Sequence, residues 1–276
     1  MVLALCAIAC CATIAQGASV AVSGLQLDPQ APSQHRTSTY RLKAKYMVVR
    51  RGFQFNLNLA LSTSLPSGYG VAVSTQPALN TLQCKIASAS GSSAVATCST
   101  GSNANVGKFI VTASLTDNSG SPIAGSAFTA TNQPLIVLFN PYNGADDVYL
   151  SQQNLLSEYV ENEFANVWRG SVDNNNAMKW YVAQFDQNAL DTALYMLGRF
   201  TGDASDVKLV SRWLTFAITY QSTNRNGLLV GNWGSDFSGG TEPWAWKGSN
   251  TIMAQYVSSN FQPVKFGMFM YDVSSA

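Results

Sequence analysis

The chain has 276 residues, a formal net charge of +1 at pH 7 and a hydrophobic content of 46%. That length accommodates two domains of ordinary size. The near-neutral charge, without a dense basic cluster, argues against a nucleic-acid-binding protein. Charged residues amount to 11%, against about 25% in a typical globular domain. Serine, threonine, asparagine and glutamine must therefore supply most of the polar surface.

An apolar run at residues 2–15 contains three of the five cysteines. It predicts no transmembrane helix, because a bilayer span needs about 20 residues. Small residues at 15–17 suit signal-peptide cleavage, although no Lys or Arg precedes the run. Residues 1–18 are interpreted as a candidate signal peptide, with acylation of the cysteines or a misassigned first exon as alternatives. A signal peptide implies secretion; otherwise the protein is expected to be cytoplasmic or lipid-anchored.

Residues 19–139 carry short β-type segments separated by turns. Residues 53–59 alternate apolar and polar side chains with period two, as a half-buried strand does. Residues 109–115 are rich in β-branched and aromatic side chains and end at the turn residues 117–120. Several such strands in succession predict a β-sandwich.

Cys84 and Cys98 are the two cysteines that follow the leader, and both lie beside a stretch rich in small residues that should be a hairpin connection. In an exported protein they could close a short loop, and such a disulfide stabilises by about 3 kcal/mol in the chain-entropy account. In a cytosolic protein they would be two small buried thiols, which is the alternative that we favour from the sequence.

The hydrophobic period changes from strand-like to helix-like after Asn140. Helices are predicted from apolar residues at helical spacing over four segments, 158–168, 188–200, 207–220 and 250–257. A tryptophan-rich loop is expected at 241–247. The domain boundary is placed near Phe139, so that residues 140–276 form a second, mainly helical domain.

Four motifs near the C-terminus resemble the approach to the active site of transglutaminases, papain-like enzymes that crosslink glutamine side chains to lysines. They are G-L-L-V-G-N-W at 227–233, S-G-G-T-E-P at 238–243, W-K-G-S at 246–249 and Q-P-V-K-F-G at 262–267. Earlier segments match the same family in the same order. They are M-V-V-R-R-G-F-Q-F at 47–55, L-I-V-L-F-N-P at 135–141, D-D-V-Y-L at 146–150 and Trp180 with Gln184 and Phe185.

The resemblance implies a mixed fold, an immunoglobulin-like β-sandwich over residues 19–139 followed by an incomplete, mainly helical α+β papain-like core over residues 140–276. The family's nucleophilic cysteine falls on Phe269, which has no nucleophile. The family's His and Asp come later than Ala276, and the one histidine present, His35, belongs by order to the sandwich. Trp233 corresponds to the tryptophan whose indole N–H helps to stabilise the family's oxyanion.

Calcium activates most of this family, and one of its calcium turns corresponds to residues 221–227. Both aspartate positions of that turn are replaced here, by Asn224 and Arg225, while Asn226 remains as an amide donor. Calcium prefers carboxylate oxygens, and a guanidinium opposes a cation. The resemblance therefore implies weak calcium binding or none.

Two hypotheses for function stay open. The first is a truncated, catalytically inactive family member that acts as a binding or scaffold protein, with proteins and not nucleic acids as partners. The second is a partial gene model or isoform of an active calcium-dependent protein-glutamine gamma-glutamyltransferase. The motif breaks abruptly after Gly267, which favours truncation over gradual drift, and the transcript beyond that codon would separate the two.

Overall fold

The computed structural model of the protein describes residues 19–43, 45–171, 173–198, 209, 218–219, 229–231 and 248–266. The predicted leader at residues 1–18 lies outside these ranges. Within the described residues, no helix combines the length and apolar character that a membrane crossing requires.

The first sheet contains four strands, β1 (Val22–Leu27), β3 (Gln54–Leu61), β5 (Gln83–Ser90) and β6 (Ser93–Ser99). Their order across the sheet is β1-β3-β6-β5, and all neighbours are antiparallel. The second sheet contains five strands, β2 (Met47–Arg50), β4 (Gly70–Gln76), β7 (Gly107–Thr116), β8 (Phe128–Thr129) and β9 (Leu135–Leu138). Its order is β2-β9-β7-β4, with β8 on β7, and only β2 and β9 are parallel. A short helix, α1 (Ala31–Gln34), connects β1 to β2.

One hydrophobic core cluster joins these two sheets, which together form the two-sheet unit. Along β3 every second side chain is buried, including Phe55, Leu57 and Leu59. The same alternation along β7 contributes Val111 and Leu115. The strands predicted at residues 53–59 and 109–115 are therefore confirmed, because an alternating pattern fits a sheet with one face on a core.

A disulfide links Cys84 on β5 to Cys98 on β6, 14 residues later in the sequence. The two cysteines are direct cross-strand partners in the antiparallel register. Cys98 is fully buried in the core, and Cys84 packs against it. The bond therefore ties β5, the edge strand of the first sheet, to its hydrogen-bonded partner β6.

The rest of the described chain combines helices and strands in similar measure. Its helical elements are α2 (Gln153–Leu156), a π-helical turn (Ser157–Glu161), α3 (Gln187–Leu197) and α4 (Ser249–Ser258). Its strands are the hairpin β10 (Phe164–Ser171) and β11 (Asn174–Tyr181), and the parallel sheet β12 (Ile218–Thr219), β13 (Leu229–Gly231) and β14 (Val264–Phe266). The expectation of a mainly helical second domain is wrong for the described residues.

Two of the four predicted helices are confirmed, since α3 and α4 coincide with the segments 188–200 and 250–257. The helix predicted at 158–168 is wrong beyond Glu161. Its second half forms β10, which pairs with β11 residue by residue, and cross-strand pairing overrides an ambiguous apolar spacing. In the segment 207–220, for which a helix is predicted, residues 218–219 form strand β12. Almost all other residues of that segment lie outside the described ranges.

Helix α3 covers the outer face of the parallel strand pair β2 and β9. Leu190 of α3 packs on Val48 and Ile136, while Val49 and Val137 on the opposite faces of those strands belong to the main core. Both strands are thus buried on both faces, which explains why they read as continuous apolar runs and not as alternating ones.

The disulfide leads to a stability prediction. Reducing it should lower the free energy of unfolding by about 3 kcal/mol, because the crosslink closes a loop of about 15 residues and restricts the unfolded chain. Urea unfolding with and without reductant measures the difference. The variant Cys84→Ala/Cys98→Ala is the control and should be insensitive to reductant. An unchanged midpoint for the reduced natural chain would contradict the prediction.

Candidate functional site

The carboxyl edge of the parallel sheet is the candidate site. Strands β13 and β14 are neighbours in parallel register, with Gly231 opposite Phe266. The chain therefore leaves both strands side by side at one edge, the position at which open sheets of this kind bind ligands. Trp233 follows the end of β13 by two residues and Phe269 follows the end of β14 by three, and both lie outside the described residues.

The predicted calcium turn also belongs to this sheet by sequence. Residues 221–227 fall within the connection between β12 and β13, and both Asn224 and Asn226 lie outside the described residues. The side chains of that turn offer amides, hydroxyls and the guanidinium of Arg225 but no carboxylate, a donor set that does not fit calcium. In the described ranges, no three His, Cys, Asp or Glu side chains cluster closely enough to hold a metal ion.

Helix α4 leads into β14 and is held against β11 by two contacts. The indole Nε1–H of Trp180 donates to Ser249 Oγ at 2.9 Å. Gly248 approaches the backbone of Tyr181 so closely that a Cβ there would lie 2.6 Å from the Tyr181 Cβ and would clash with the carbonyl oxygen. The W-K-G-S motif therefore needs a glycine at 248 for close packing and a serine at 249 as the acceptor for Trp180.

A polar cluster around Arg41 joins the two-sheet unit to the C-terminal part of the chain, and we call this region the junction. The guanidinium of Arg41 donates to Asp186 Oδ1 at 2.8 Å and also to Glu163 and to the hydroxyl of Tyr181. Burial and the hydrogen bond to Asp186 raise the pKa of Tyr181 to about 12. The hydroxyl thus stays protonated in neutral solution, and two carboxylates face one guanidinium.

Two further hydrogen bonds extend this junction towards α3. The hydroxyl of Tyr46 donates to Asp191 at 3.0 Å, and the backbone N–H of Lys43 donates to Gln187 Oε1 at 2.7 Å. Burial, followed by the contact with Asp191, raises the pKa of Tyr46 to about 12. The sequence offered no signal for these pairs, because their members are more than 140 residues apart.

A buried ion pair holds the chain where it leaves the two-sheet unit. Arg51 donates through Nε and a terminal nitrogen to both carboxylate oxygens of Asp146, at 2.6 and 2.8 Å, and the two side chains are 1% and 0% exposed. Asp146 also accepts the backbone N–H groups of Asn140 and Val148. This pair holds the segments V-R-R-G and D-D-V-Y-L together in the fold.

His35 is a structural residue of the two-sheet unit. Its side chain is fully buried, Nδ1 accepts the backbone N–H of Arg50 at 2.9 Å, and Nε2 lies 3.0 Å from the carbonyl oxygen of Gln54. An acceptor Nδ1 requires the neutral tautomer with hydrogen on Nε2. Burial, the largest influence, lowers the pKa of His35.

The chain is similar to curated protein-glutamine gamma-glutamyltransferases, to annulin and to a transglutaminase of known structure. It is 29% identical to protein-glutamine gamma-glutamyltransferase K of Homo sapiens over 90% of this chain and 33% of that protein. It is 36% identical to annulin of Schistocerca americana over 52% of this chain and 19% of annulin. The crystal structure of red sea bream transglutaminase matches 90% of this chain and 40% of its own with a TM-score of 0.67 and 22% identity. No protein-family model matches the chain, which spans less than half the length of these proteins.

Removing one member of the buried pair should strongly destabilise the fold. Arg51→Met leaves the carboxylate of Asp146 buried without a cation, and such a loss lowers the free energy of unfolding by about 3–5 kcal/mol. The double variant Arg51→Met/Asp146→Asn should lose less, because no charge is left unpaired. Chemical denaturation measures all variants. Arg36→Met is the control, since Arg36 is 56% exposed in its pair with Glu161, and should change stability by about 0–1 kcal/mol.

The buried imidazole also predicts a pH dependence. The pKa of His35 in the folded state lies below its ordinary value near 6.5, so the unfolded chain binds the extra proton first. The stabilising contribution of neutral His35 is complete above pH 6.5 and declines as the pH falls from 6.5 to the folded pKa, by up to about 1.4 kcal/mol per pH unit. Denaturation curves between pH 5 and 7 measure this slope.

The groups that face His35 are the cation of Arg50, the carbonyl oxygen of Gln54 and the rings of Phe53 and Phe55. His35 is the group whose lowered pKa generates the slope, so His35→Gln should flatten the slope in that window. An equal slope in the natural chain and in His35→Gln would disprove the assignment.

Proposed function

Because the chain belongs to the transglutaminase family, with 31% identity to a rat protein-glutamine gamma-glutamyltransferase E over 86% of its length, we propose that it contributes the family's immunoglobulin-like sandwich over residues 19–139 and the first part of its papain-like core over residues 140–276. The two-sheet unit supports the first assignment, and the parallel strands β12, β13 and β14 support the second. We also propose that these 276 residues bind protein partners without crosslinking them.

The observation that carries this proposal is that the described thiol and imidazole groups are already committed to the fold. Cys84 and Cys98 are joined in a disulfide, and both ring nitrogens of His35 are in hydrogen bonds to the backbone. Glutamine acyl transfer needs a free thiolate to attack the carboxamide and an imidazole to move protons. At the nucleophile position of the family the chain has Phe269. Without a nucleophile no oxyanion forms, so the indole N–H of Trp233 would have no oxyanion to stabilise.

The side chains of the predicted calcium turn argue against a calcium requirement for partner binding. The turn at 221–227 lacks carboxylates, and its arginine opposes a divalent cation. We therefore infer that binding of partners by this polypeptide does not depend on calcium, in contrast to the calcium-activated reaction of the family.

A second candidate function is the family reaction itself, carried by a protein of which these residues are one piece. Two observations favour it, namely the parallel strands at the candidate edge and the Trp180–Ser249 contact that holds α4 in place. A transcript that continues from Gly267 into G-Q-C-W, with a histidine and an aspartate further on, would establish this candidate and displace the first.

The 276-residue polypeptide should not form isopeptide crosslinks. Purified protein incubated with calcium, a glutamine-donor protein and a fluorescent amine is expected to label the donor no more than a sample without enzyme, because the described residues offer no thiolate–imidazole pair. An active transglutaminase serves as the positive control. Reproducible calcium-dependent labelling by the polypeptide would refute the proposal.

The substitution Phe269→Cys extends this test. A thiol without an imidazole partner keeps a pKa near 8.5 and stays mostly protonated at neutral pH, so the variant should remain inactive. Phe269→Ser is the matched control without a thiol. Activity in the cysteine variant above that of the serine variant would show that a partner base exists within these residues.

A further inference from the structure

Arg50 is a buried cation without a carboxylate partner among the described residues. It is 6% exposed. Its Nε donates to the backbone oxygen of His35 at 3.1 Å, and a terminal nitrogen donates to that of Phe139 at 2.8 Å. The ring of Tyr142 lies 5.4 Å from the guanidinium carbon. Arg50 also shares a side-chain hydrogen bond with Tyr40. A guanidinium has five N–H donors, so these three bonds still leave donors for an incoming anion.

The other arginines near this junction differ from Arg50 in that each has an acid beside it. Arg36 pairs with Glu161, and Arg41 and Arg51 pair with acids at the junction and at the exit of the two-sheet unit. An unpaired buried charge is costly, whereas an anionic ligand would compensate it. Among the described arginines near this junction, Arg50 alone therefore lacks a described counter-ion.

Arg50 borders a cleft of about 390 Å³ between the two-sheet unit and the C-terminal part. The walls are apolar, and among the described lining residues Arg50 alone carries a charge. The main contributors are Tyr40, Leu138, Phe139, Leu150, Val160 and Phe185. Ligand sites typically combine such a volume and such walls with a few polar groups that orient the ligand.

Tyr40 adds a neutral donor to the same cleft. Its ring packs edge-on against Phe185 at 5.3 Å. Burial raises the pKa of Tyr40, while the charge of Arg50 and the side-chain hydrogen bond between the two residues offset part of the rise. The hydroxyl is therefore protonated at neutral pH and can donate to an anion next to the guanidinium.

We propose that this cleft binds a small monocarboxylate with an apolar body. The carboxylate occupies the open side of the Arg50 guanidinium, and the body lies against the walls formed by Leu138, Val160 and Phe185. An adjoining cleft of about 350 Å³ shares Arg50 but also contains Glu161, whose negative charge disfavours an anion there. The ligand is thus expected on the apolar side of Arg50.

Isothermal titration calorimetry with 3-phenylpropionate tests the site on the full chain. The neutral isostere 3-phenylpropionamide has the same shape without the charge, and should bind about tenfold more weakly or worse, because a hydrogen bond to a charged partner contributes about that factor. Saturable binding of the carboxylate with a preference over the amide supports the proposal. No binding, or equal binding of acid and amide, overturns it.

Three variants locate the ligand. Val160→Trp fills the cleft while retaining Arg50, and should abolish binding of the carboxylate. Arg50→Gln should weaken the carboxylate about tenfold or more and leave the amide unchanged. Arg36→Gln changes the neighbouring exposed cation and should leave both ligands unaffected.

Each variant can also contradict the proposal. Undiminished carboxylate binding by Val160→Trp overturns it, and so does a loss of affinity in Arg36→Gln equal to that in Arg50→Gln. Val160→Trp and the amide comparison do not remove Arg50, so they decide the matter even where Arg50→Gln fails to fold.

Discussion

The ion pair between Arg51 and Asp146 is the constraint on which the arrangement of the chain depends. It connects the residue after β2 to the segment after β9, so the two parallel strands end beside a common buried charge pair. Asn140 closes the network by donating to the backbone oxygen of Arg51. Breaking such a pair from one side leaves an uncompensated buried charge. The direction in which the chain leaves the two-sheet unit is thereby set.

The parallel strands β2 and β9 transmit that constraint to the rest of the molecule. Their inner faces complete the main core, and their outer faces receive Leu190 of α3. Helix α3 is then positioned for the hydrogen bonds from Tyr46 and Lys43. A change in the core of the two-sheet unit would therefore shift the helix beside the junction, and the Arg50 cleft lies at that same junction.

Sequence patterns identified the elements whose signal is local. Alternation with period two predicted β3 and β7, and helical spacing predicted α3 and α4. They failed for β10, where apolar residues spaced as on a helix pair across a hairpin with β11. Pairing with a distant segment decides that case, and a single segment contains no information about its partner.

The sequence by itself determined the family, through ordered motifs, and the presence of a phenylalanine at position 269, because both depend only on residue identity and order. Only the tertiary structure decided that Cys84 and Cys98 are bonded, that His35 is neutral and structural, and that Arg50 is buried with no counter-ion among the described residues. Those properties depend on which distant groups meet and on how much water is excluded around them. Charge state, burial and bonding are therefore properties of the folded chain and not of the order of its residues in the sequence.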